Sequence, residues 1–376
     1  MSKVFGSGNT ACAMAVKDAD VDFVAAYPIT PQTAVAEKIA AYIAQGIMDA
    51  NYLPVESEHS AASAIAAASA VGARVFTATA SQGLLYMHEI LHYAAGGRLP
   101  LVMANVNRAV NMPWCLYADH QDAVSQRDTG WIQLFAASNQ EIYDSILLAF
   151  KVAEEVQIPV MINYDGFLVS HSMMPFETLD ENKIKEYLPP YDPSWRLHPQ
   201  WGGTFGNVTF SEQYVPYRES LTRDVKRAGE LIIRCAREFE ELTGRWHGGY
   251  FDVYRPEDAS FFLLSMGSMG KEMELAVDLL RQEGIPAAGL RLRVFCPFPK
   301  EELSALLPTG TNLLVFDRNL VYGSAAGVLL QESRAALYDR RDEIRIAGIS
   351  VGLGGEDLPA SLLADKAREM IQEVKK

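Results

Sequence analysis

An apolar run, Phe23 to Ala26, leads into Tyr27-Pro28-Ile29-Thr30-Pro31-Gln32-Thr33, and residues 34–47 then carry apolar side chains at helical spacing. Strand, stiff turn and helix follow from that order. Each proline fixes its own φ and pushes the residue before it, Tyr27 or Thr30, out of the α region, so the turn is held in one shape. Thr30 is thereby presented at the carboxyl end of a strand, the edge where open α/β sheets bind ligands. The same residues also suit a plain helix entry with Thr30 as its cap.

Strand and helix patterns alternate on either side of this turn. Helices are expected over 10–16, 57–70, 84–94, around 128–134 and over 140–156, and strands over 52–55, 74–79, 99–105 and 159–164. Such alternation implies a parallel sheet covered on both faces. Residues 107–126 show neither period yet carry Arg108, Trp114, Asp119, His120 and Asp122, the composition of a functional loop. From 174 the chain turns to Pro, Tyr, Trp and charge, with Pro189-Pro190 and Asp192-Pro193 breaking regular structure. A long helix over 218–244 with charged faces reads as a solvated bridge between domains. A second alternation begins at Ser260 and includes strands over 287–294, 313–316 and 344–349. Its Gly267-Ser268-Met269-Gly270 turn falls short of any full phosphate-loop pattern, so a tight turn is favoured over a phosphate cradle. The expected division is 1–173, a connector with the long helix over 174–256, and 257–376.

Composition narrows the chemistry. At 376 residues and 49% hydrophobic content the chain can bury more than one core. A net charge of −14 disfavours a nucleic-acid partner, and no basic cluster reverses it. The sequence lacks an apolar run of membrane-spanning length and a signal-peptide pattern at its start, so a cytoplasmic location away from membranes is expected. Cys12, Cys115, Cys235 and Cys296 are far apart. That spacing argues against a zinc knuckle, an iron–sulfur cluster or a disulfide framework within the chain, and any redox centre is expected elsewhere.

Two stretches carry candidate chemistry. Glu56-Ser57-Glu58-His59-Ser60 lies at a strand-to-helix junction, where acids suit the positive end of the helix dipole. A glutamate there also serves a partner that needs a carboxyl group, provided burial raises its pKa enough to keep a shared proton. Asn107-Arg108-Ala109 follows a strand at the same sheet edge as Thr30, and a fork-shaped, always-charged donor beside a hydroxyl makes a carboxylate clamp. A surface ion pair with Asp119 or Asp122 is the alternative. Asp119-His120-Gln121-Asp122 matches no metal-ligand spacing and reads as a hydrogen-bonded brace, so no metal site is expected.

Taken in order, these residues resemble a known family. Tyr-Pro-Ile-Thr-Pro at 27–31, Glu-Ser-Glu-His-Ser-Ala at 56–61, Thr-Ala-Ser-Gln-Gly at 79–83, Asn-Arg-Ala at 107–109, Asp-His-Gln-Asp at 119–122, Arg-Asp-Thr-Gly-Trp at 127–131 and Asp-Gly-Phe at 165–167 look like the alpha subunit of 2-oxoacid:ferredoxin (acceptor) oxidoreductases, the group of pyruvate synthase and phenylglyoxylate dehydrogenase. The likeness continues through 291–299, Asp317-Arg318-Asn319 and Gly352-Leu353-Gly354-Gly355. It implies an α/β fold with a parallel-sheet pyrimidine domain of the thiamine diphosphate type and a C-terminal domain like that of transketolases.

The resemblance also implies roles. Glu58 would contact N1′ of the cofactor's aminopyrimidine ring, with Pro28 and Ile29 beside it, and Thr30 and Arg108 would bind the substrate. No Gly-Asp-Gly with a distal Asn is present, since Asp165-Gly166 is followed by Phe167. The diphosphate half, magnesium and the 4Fe–4S clusters are therefore expected on partners: a beta subunit with the diphosphate-binding domain and a cluster, and gamma and ferredoxin-like delta subunits. The implied activity is oxidative decarboxylation of a 2-oxoacid with coenzyme A to acyl-CoA, carbon dioxide and reduced ferredoxin or another acceptor, including an NAD-linked variant, typical of anaerobic metabolism. A non-redox thiamine enzyme of decarboxylase or transketolase type and a non-catalytic structural subunit are the rival readings. In the loop after Arg108, Trp114, Leu116 and Tyr117 offer aromatic and apolar bulk, so Trp114 and Tyr117 are assigned to the substrate pocket. An aryl substrate such as phenylglyoxylate is weighed there against pyruvate, with the aromatics then facing a partner subunit.

Overall fold

The computed structural model describes residues 2–200, 203–324 and 327–374. Its strands are β1 Ser2–Gly6, β2 Phe23–Ala26, β3 Asn51–Pro54, β4 Val75–Thr79, β5 Leu101–Asn107, β6 Ile132–Ala136, β7 Val160–Asp165, β8 Met174–Thr178, β9 Phe251–Tyr254, β10 Phe261–Met266, β11 Ala287–Leu292, β12 Val294–Cys296, β13 Asn312–Asp317 and β14 Arg345–Ser350. A seven-stranded sheet runs β12-β6-β7-β5-β4-β2-β3 and is parallel except for β12. A five-stranded sheet runs β14-β13-β10-β11-β9, parallel except for β9, and β1 pairs antiparallel with β8. Central strands β4, β5, β6 and β7 are buried throughout, as their near-continuous apolar sequences require when helices cover both faces.

Strand pairing crosses the three-segment division of the sequence. β8 and β9, both in the expected connector, pair with β1 and β11. The expected single strand over 287–294 splits at Arg293, where the chain leaves one sheet and enters the other as β12 beside β6. The segment expected to be helical at 128–134 instead contains β6. Its Ile-Gln-Leu-Phe-Ala run is buried on both faces, and a short apolar run has no period of its own to separate strand from helix.

The long helix, Ser211–Thr243, begins seven residues before the expected start. Pro216 lies in its exposed first two turns, where water can satisfy the carbonyl that proline leaves free. The helix is docked rather than solvated all round. Leu221, Ala228, Ile232, Cys235 and Phe239 share one face and join the core of the first sheet. The expected helix over 84–94 is two helices, Ser81–Tyr86 and His88–Gly96, separated at Met87.

Buried charge ties the two sheets together. Glu141, in the helix Asn139–Val156, accepts from Arg293 Nε at 2.8 Å and from Arg291 Nη1 at 3.1 Å, all three side chains being buried. Burial alone would raise the Glu141 carboxyl, but Arg291 and Arg293 overrule it and hold it down at about 2. Among the described residues, no helix is long and apolar enough to cross a membrane.

Candidate functional site

β5, β4 and β2 are neighbours in the larger sheet, so the turns leaving their carboxyl ends lie side by side. After β4, Ala80 remains extended and Ser81 takes a left-handed φ of 51°, after which the helix Ser81–Tyr86 begins. After β5, Arg108 enters the loop. After β2 comes the proline turn, whose Gln32 and Thr33 amides both bond the Ile29 carbonyl at 2.7 and 3.1 Å.

Arg108, only 4% exposed, gathers these turns. Its Nη1 donates to the Thr30 carbonyl at 2.8 Å and its Nη2 to Gln82 Oε1 at 3.1 Å, while Nε is buried with no partner. The Thr30 group that Arg108 meets is thus the backbone carbonyl, and the exposed Thr30 side chain stays on the open edge. Burial lowers the Arg108 pKa, opposed by Asp122, Cys115 and Glu58. The guanidinium still carries its charge at neutral pH.

Glu58 opens the helix Glu58–Ala70, whose Ser57 cap accepts from Ser60 N at 3.2 Å. Its side chain is 8% exposed and lies over Gly83: a β-carbon at that glycine would stand 2.6 Å from Glu58 Oε1 and 2.6 Å from Thr79 Oγ1. The Thr79 hydroxyl is itself buried without a partner. Glu56, by contrast, is exposed and bonded to Ser60. The structure therefore links Thr30, Arg108, Gln82, Gly83 and Glu58 in one chain of contacts. Pro28 is exposed and Ile29 half-buried on the same edge.

The loop after Arg108 bridges the two sheets. Ala109 N donates to the Tyr117 carbonyl at 2.9 Å, Gly355 N to the Ala118 carbonyl at 2.7 Å, and Cys115 Sγ to the Gly354 carbonyl at 3.3 Å. A β-carbon on Gly355, whose φ is +76°, would sit 2.3 Å from Tyr117 Cβ, so this approach requires glycine. Trp114 faces Arg108, with the guanidinium carbon 5.9 Å from its ring centroid, and Tyr117 meets Phe167 at 5.2 Å. Both are largely exposed, at 65% and 57%, and Met112, Leu116 and Tyr322 are exposed as well.

Two acidic residues brace the site. Asp122, fully buried, accepts from Ser81 N at 3.0 Å, Arg108 N at 3.1 Å, Asn107 Nδ2 at 2.9 Å and Ala123 N at 2.7 Å, as expected of a hydrogen-bonded brace. Asp165, at the end of β7, accepts from His120 Nε2 at 2.9 Å and from both the amide and the hydroxyl of Ser268, at 2.8 and 2.6 Å, with Arg318 Nη1 at 3.4 Å. Burial would raise the Asp165 carboxyl, but Arg318 and His120 hold it below the ordinary range. The Gly267–Gly270 turn thus receives a carboxylate of the first unit.

Sequence reasoning quoted Gln82 and Asp165 within motifs but gave neither a role in holding the site. A Gln between a strand end and a glycine was the available signal for the first. For the second it was a strand-final Asp before Gly166, where a β-carbon would meet the Asn107 carbonyl at 2.5 Å and Pro31 Cγ at 2.7 Å.

Comparison with known proteins gives this geometry its class. A family model described as pyruvate flavodoxin/ferredoxin oxidoreductase, thiamine diphosphate-binding, matches residues 14–236, and pyruvate:ferredoxin oxidoreductase core domain II matches 259–362. The ketoisovalerate oxidoreductase subunit VorA of Pyrococcus horikoshii is 45% identical over 93% of this chain and 89% of its own length. The pyruvate synthase subunit PorA of Methanocaldococcus jannaschii is 41% identical, over 98% and 94%. Among solved structures, 2-oxoglutarate:ferredoxin oxidoreductase from Magnetococcus marinus aligns with a TM-score of 0.72 at 17% identity, covering 98% of this chain and 65% of that one. A split-gene transketolase aligns at 0.57 and 13% identity, over 97% and 98%. The fold is that of the thiamine diphosphate enzymes. The chain belongs to the pyruvate flavodoxin/ferredoxin oxidoreductase family, as an alpha-type subunit of the 2-oxoacid:ferredoxin oxidoreductases. It is an oxidoreductase subunit serving oxidative decarboxylation of a 2-oxoacid, and its named relatives are subunits of multi-subunit enzymes.

The residues present fit one end of thiamine diphosphate. A buried carboxylate at a helix start, an unpartnered hydroxyl and a glycine with no room for a β-carbon suit a small polar ring. They do not suit the other end. The nearest approach to a diphosphate signature, Asp165-Gly166, is occupied by His120, Arg318 and Ser268. Among the described residues no group of three or more His, Cys, Asp or Glu is placed to hold a metal ion.

Proposed function

We propose that this chain supplies the pyrimidine half of an active site completed by a partner, and that its substrate is a 2-oxoacid with an apolar side chain. The observation carrying this is the convergence, on one sheet edge, of a buried carboxylate and a fork-shaped cation linked through Gln82 and Gly83. When bound, thiamine diphosphate supplies the nucleophilic carbon and the electron sink for decarboxylation. Glu58 would hold the aminopyrimidine ring by a hydrogen bond at N1′, and Pro28 and Ile29 would lie beside that ring. Arg108 binds the substrate carboxylate, and the Thr30 hydroxyl orients the 2-oxo group. Trp114 and Tyr117 exclude water and form the wall against the substrate side chain.

A beta subunit supplies the diphosphate-binding domain, magnesium and a 4Fe–4S cluster. Gamma and ferredoxin-like delta subunits pass electrons to ferredoxin or another acceptor, and coenzyme A accepts the acyl group. The relatives named for ketoisovalerate and pyruvate support an apolar or small side chain. The exposed Trp114 keeps phenylglyoxylate in the panel. The test is turnover of the reconstituted complex with 3-methyl-2-oxobutanoate, pyruvate, phenylglyoxylate and 2-oxoglutarate, read with a viologen dye, alongside Trp114→Ala. A preference of about tenfold or more for an apolar substrate, eroded by Trp114→Ala, is expected. Preference for 2-oxoglutarate, or a Trp114→Ala variant with unchanged ratios, would refute the wall.

A further inference from the structure

We propose that Gln82 is a positioning residue for this reaction: it holds the Arg108 guanidinium in the orientation that receives the substrate carboxylate. The inference rests on the carboxylate-binding role of Arg108 given above, and it adds a residue with no assigned part.

Arg108 has a long side chain whose ordering has a large entropic cost, so a defined guanidinium plane needs fixed acceptors. The structure provides two. The Thr30 carbonyl takes Nη1 at 2.8 Å, and Gln82 Oε1 takes Nη2 at 3.1 Å. One acceptor alone leaves the plane free to swing about it, whereas two on different nitrogens fix it. The amide orientation of Gln82 follows from the same contact, because only its oxygen can accept from a cation. The Ser81 hydroxyl also lies against that oxygen and against the Ala109 carbonyl, the latter at 2.6 Å. Gln82 Nε2 is then left buried without a partner.

The two residues are also held at fixed separation through their backbones. One oxygen of Asp122 accepts from Ser81 N at 3.0 Å and from Arg108 N at 3.1 Å, coupling the residue before Gln82 directly to Arg108. Ser81 takes its left-handed φ of 51° at this junction, a conformation uncommon outside glycine, which aims the next side chain back across the strand ends. A glutamine used only to fill space would need neither an oxygen turned to a cation nor a shared carboxylate behind it.

The test uses the assembled complex, comparing Gln82→Met and Gln82→Glu with wild type and with Arg108→Lys. Gln82→Met keeps the length but removes the acceptor, and KM for the 2-oxoacid should rise about five- to twentyfold with kcat changed much less, as expected for lost ground-state binding. Gln82→Glu places an anion on Nη2 in competition with the substrate, and KM should rise by more than about fiftyfold at pH 8, recovering as pH falls and the new carboxyl protonates. The inhibition constant of the matching 2-hydroxy acid, which cannot be decarboxylated, should move in parallel with KM. A purely structural role would lower thermal stability and kcat without that pH-dependent recovery. If both Gln82 variants keep KM within about twofold of wild type while Arg108→Lys raises it, Gln82 has no positioning role and the Arg108 reading stands. If Arg108→Lys also leaves KM unchanged, the carboxylate role of Arg108 fails and this proposal falls with it.

Discussion

Gly83→Ala separates activity from stability. Gly83 lies within the helix Ser81–Tyr86 and has no left-handed φ, so alanine fits its backbone and gains up to about 1 kcal/mol of helix propensity. The added methyl would stand 2.6 Å from Glu58 Oε1 and 2.8 Å from Glu58 Cγ, and 3.4 Å is the near limit of ordinary contact, so the carboxylate must retreat by about 0.8 Å. The methyl would stand equally close, at 2.6 Å, to Thr79 Oγ1, which must turn aside as well; that hydroxyl is held by no hydrogen bond, so its side chain can rotate within β4. A displacement near 1 Å in a reacting group costs on the order of 10²-fold in rate. The expected outcome is a kcat about 10- to 100-fold lower in the reconstituted complex, with a thermal midpoint only a few degrees below wild type, because the helix-propensity gain offsets part of the cost of displacing the two side chains. Steady-state viologen reduction and differential scanning calorimetry on the same preparation measure both. Activity within twofold of wild type would show that the Glu58 carboxylate need not lie where the structure puts it. Lost activity with a collapsed midpoint would show that the methyl disturbs the sheet instead.

Glu58→Gln should leave the complex assembled and lower kcat by roughly 10²–10⁴-fold, while Glu56→Gln, at an exposed side chain, should be mild; comparable losses from both would undo the assignment. The Asp119 carboxyl is pushed up to about 6, chiefly by burial, so the folded chain holds this proton more tightly than the unfolded one and stability falls as pH rises from about 4 through 6. Asp119→Asn keeps the acceptor for Gln121 N and should raise stability above pH 6 by at most about 3 kcal/mol, with no gain near pH 4; urea melts at both pH values check it. For Glu141, held down at about 2, the contribution is present above the ordinary carboxyl range and fades as pH falls toward 2. Glu141→Gln leaves Arg291 and Arg293 buried without their shared anion and should cost about 3–5 kcal/mol at pH 7, read from denaturant midpoints.

Local chemistry made much of the site legible. Prolines at 28 and 31 restrict backbone angles whatever surrounds them, so the turn that carries Thr30 was readable from the sequence. Ser57 ahead of Glu58 announced a capped helix, and the structure has that cap. Asn107-Arg108 was readable as following a strand because residues 99–106 are apolar apart from Asn105. The short run at 132–136 was not, since burial on both faces removes the periodicity that separates strand from helix.

The sequence by itself determined the α/β alternation, the stiff turn and the lack of a diphosphate signature, because each depends on residues near one another in the chain. Its resemblance to the family, not local chemistry, singled out Glu58, Thr30 and Arg108 as candidates. Tertiary structure alone decided the rest. It turned Arg108 onto the Thr30 carbonyl and Gln82, gave Asp165 to Ser268 and Arg318 rather than to a ligand, and carried β12 into the first sheet. Those pairings join groups dozens to more than a hundred and fifty positions apart, and their geometry is set by strand order and by the need to satisfy buried charge, which no local pattern encodes.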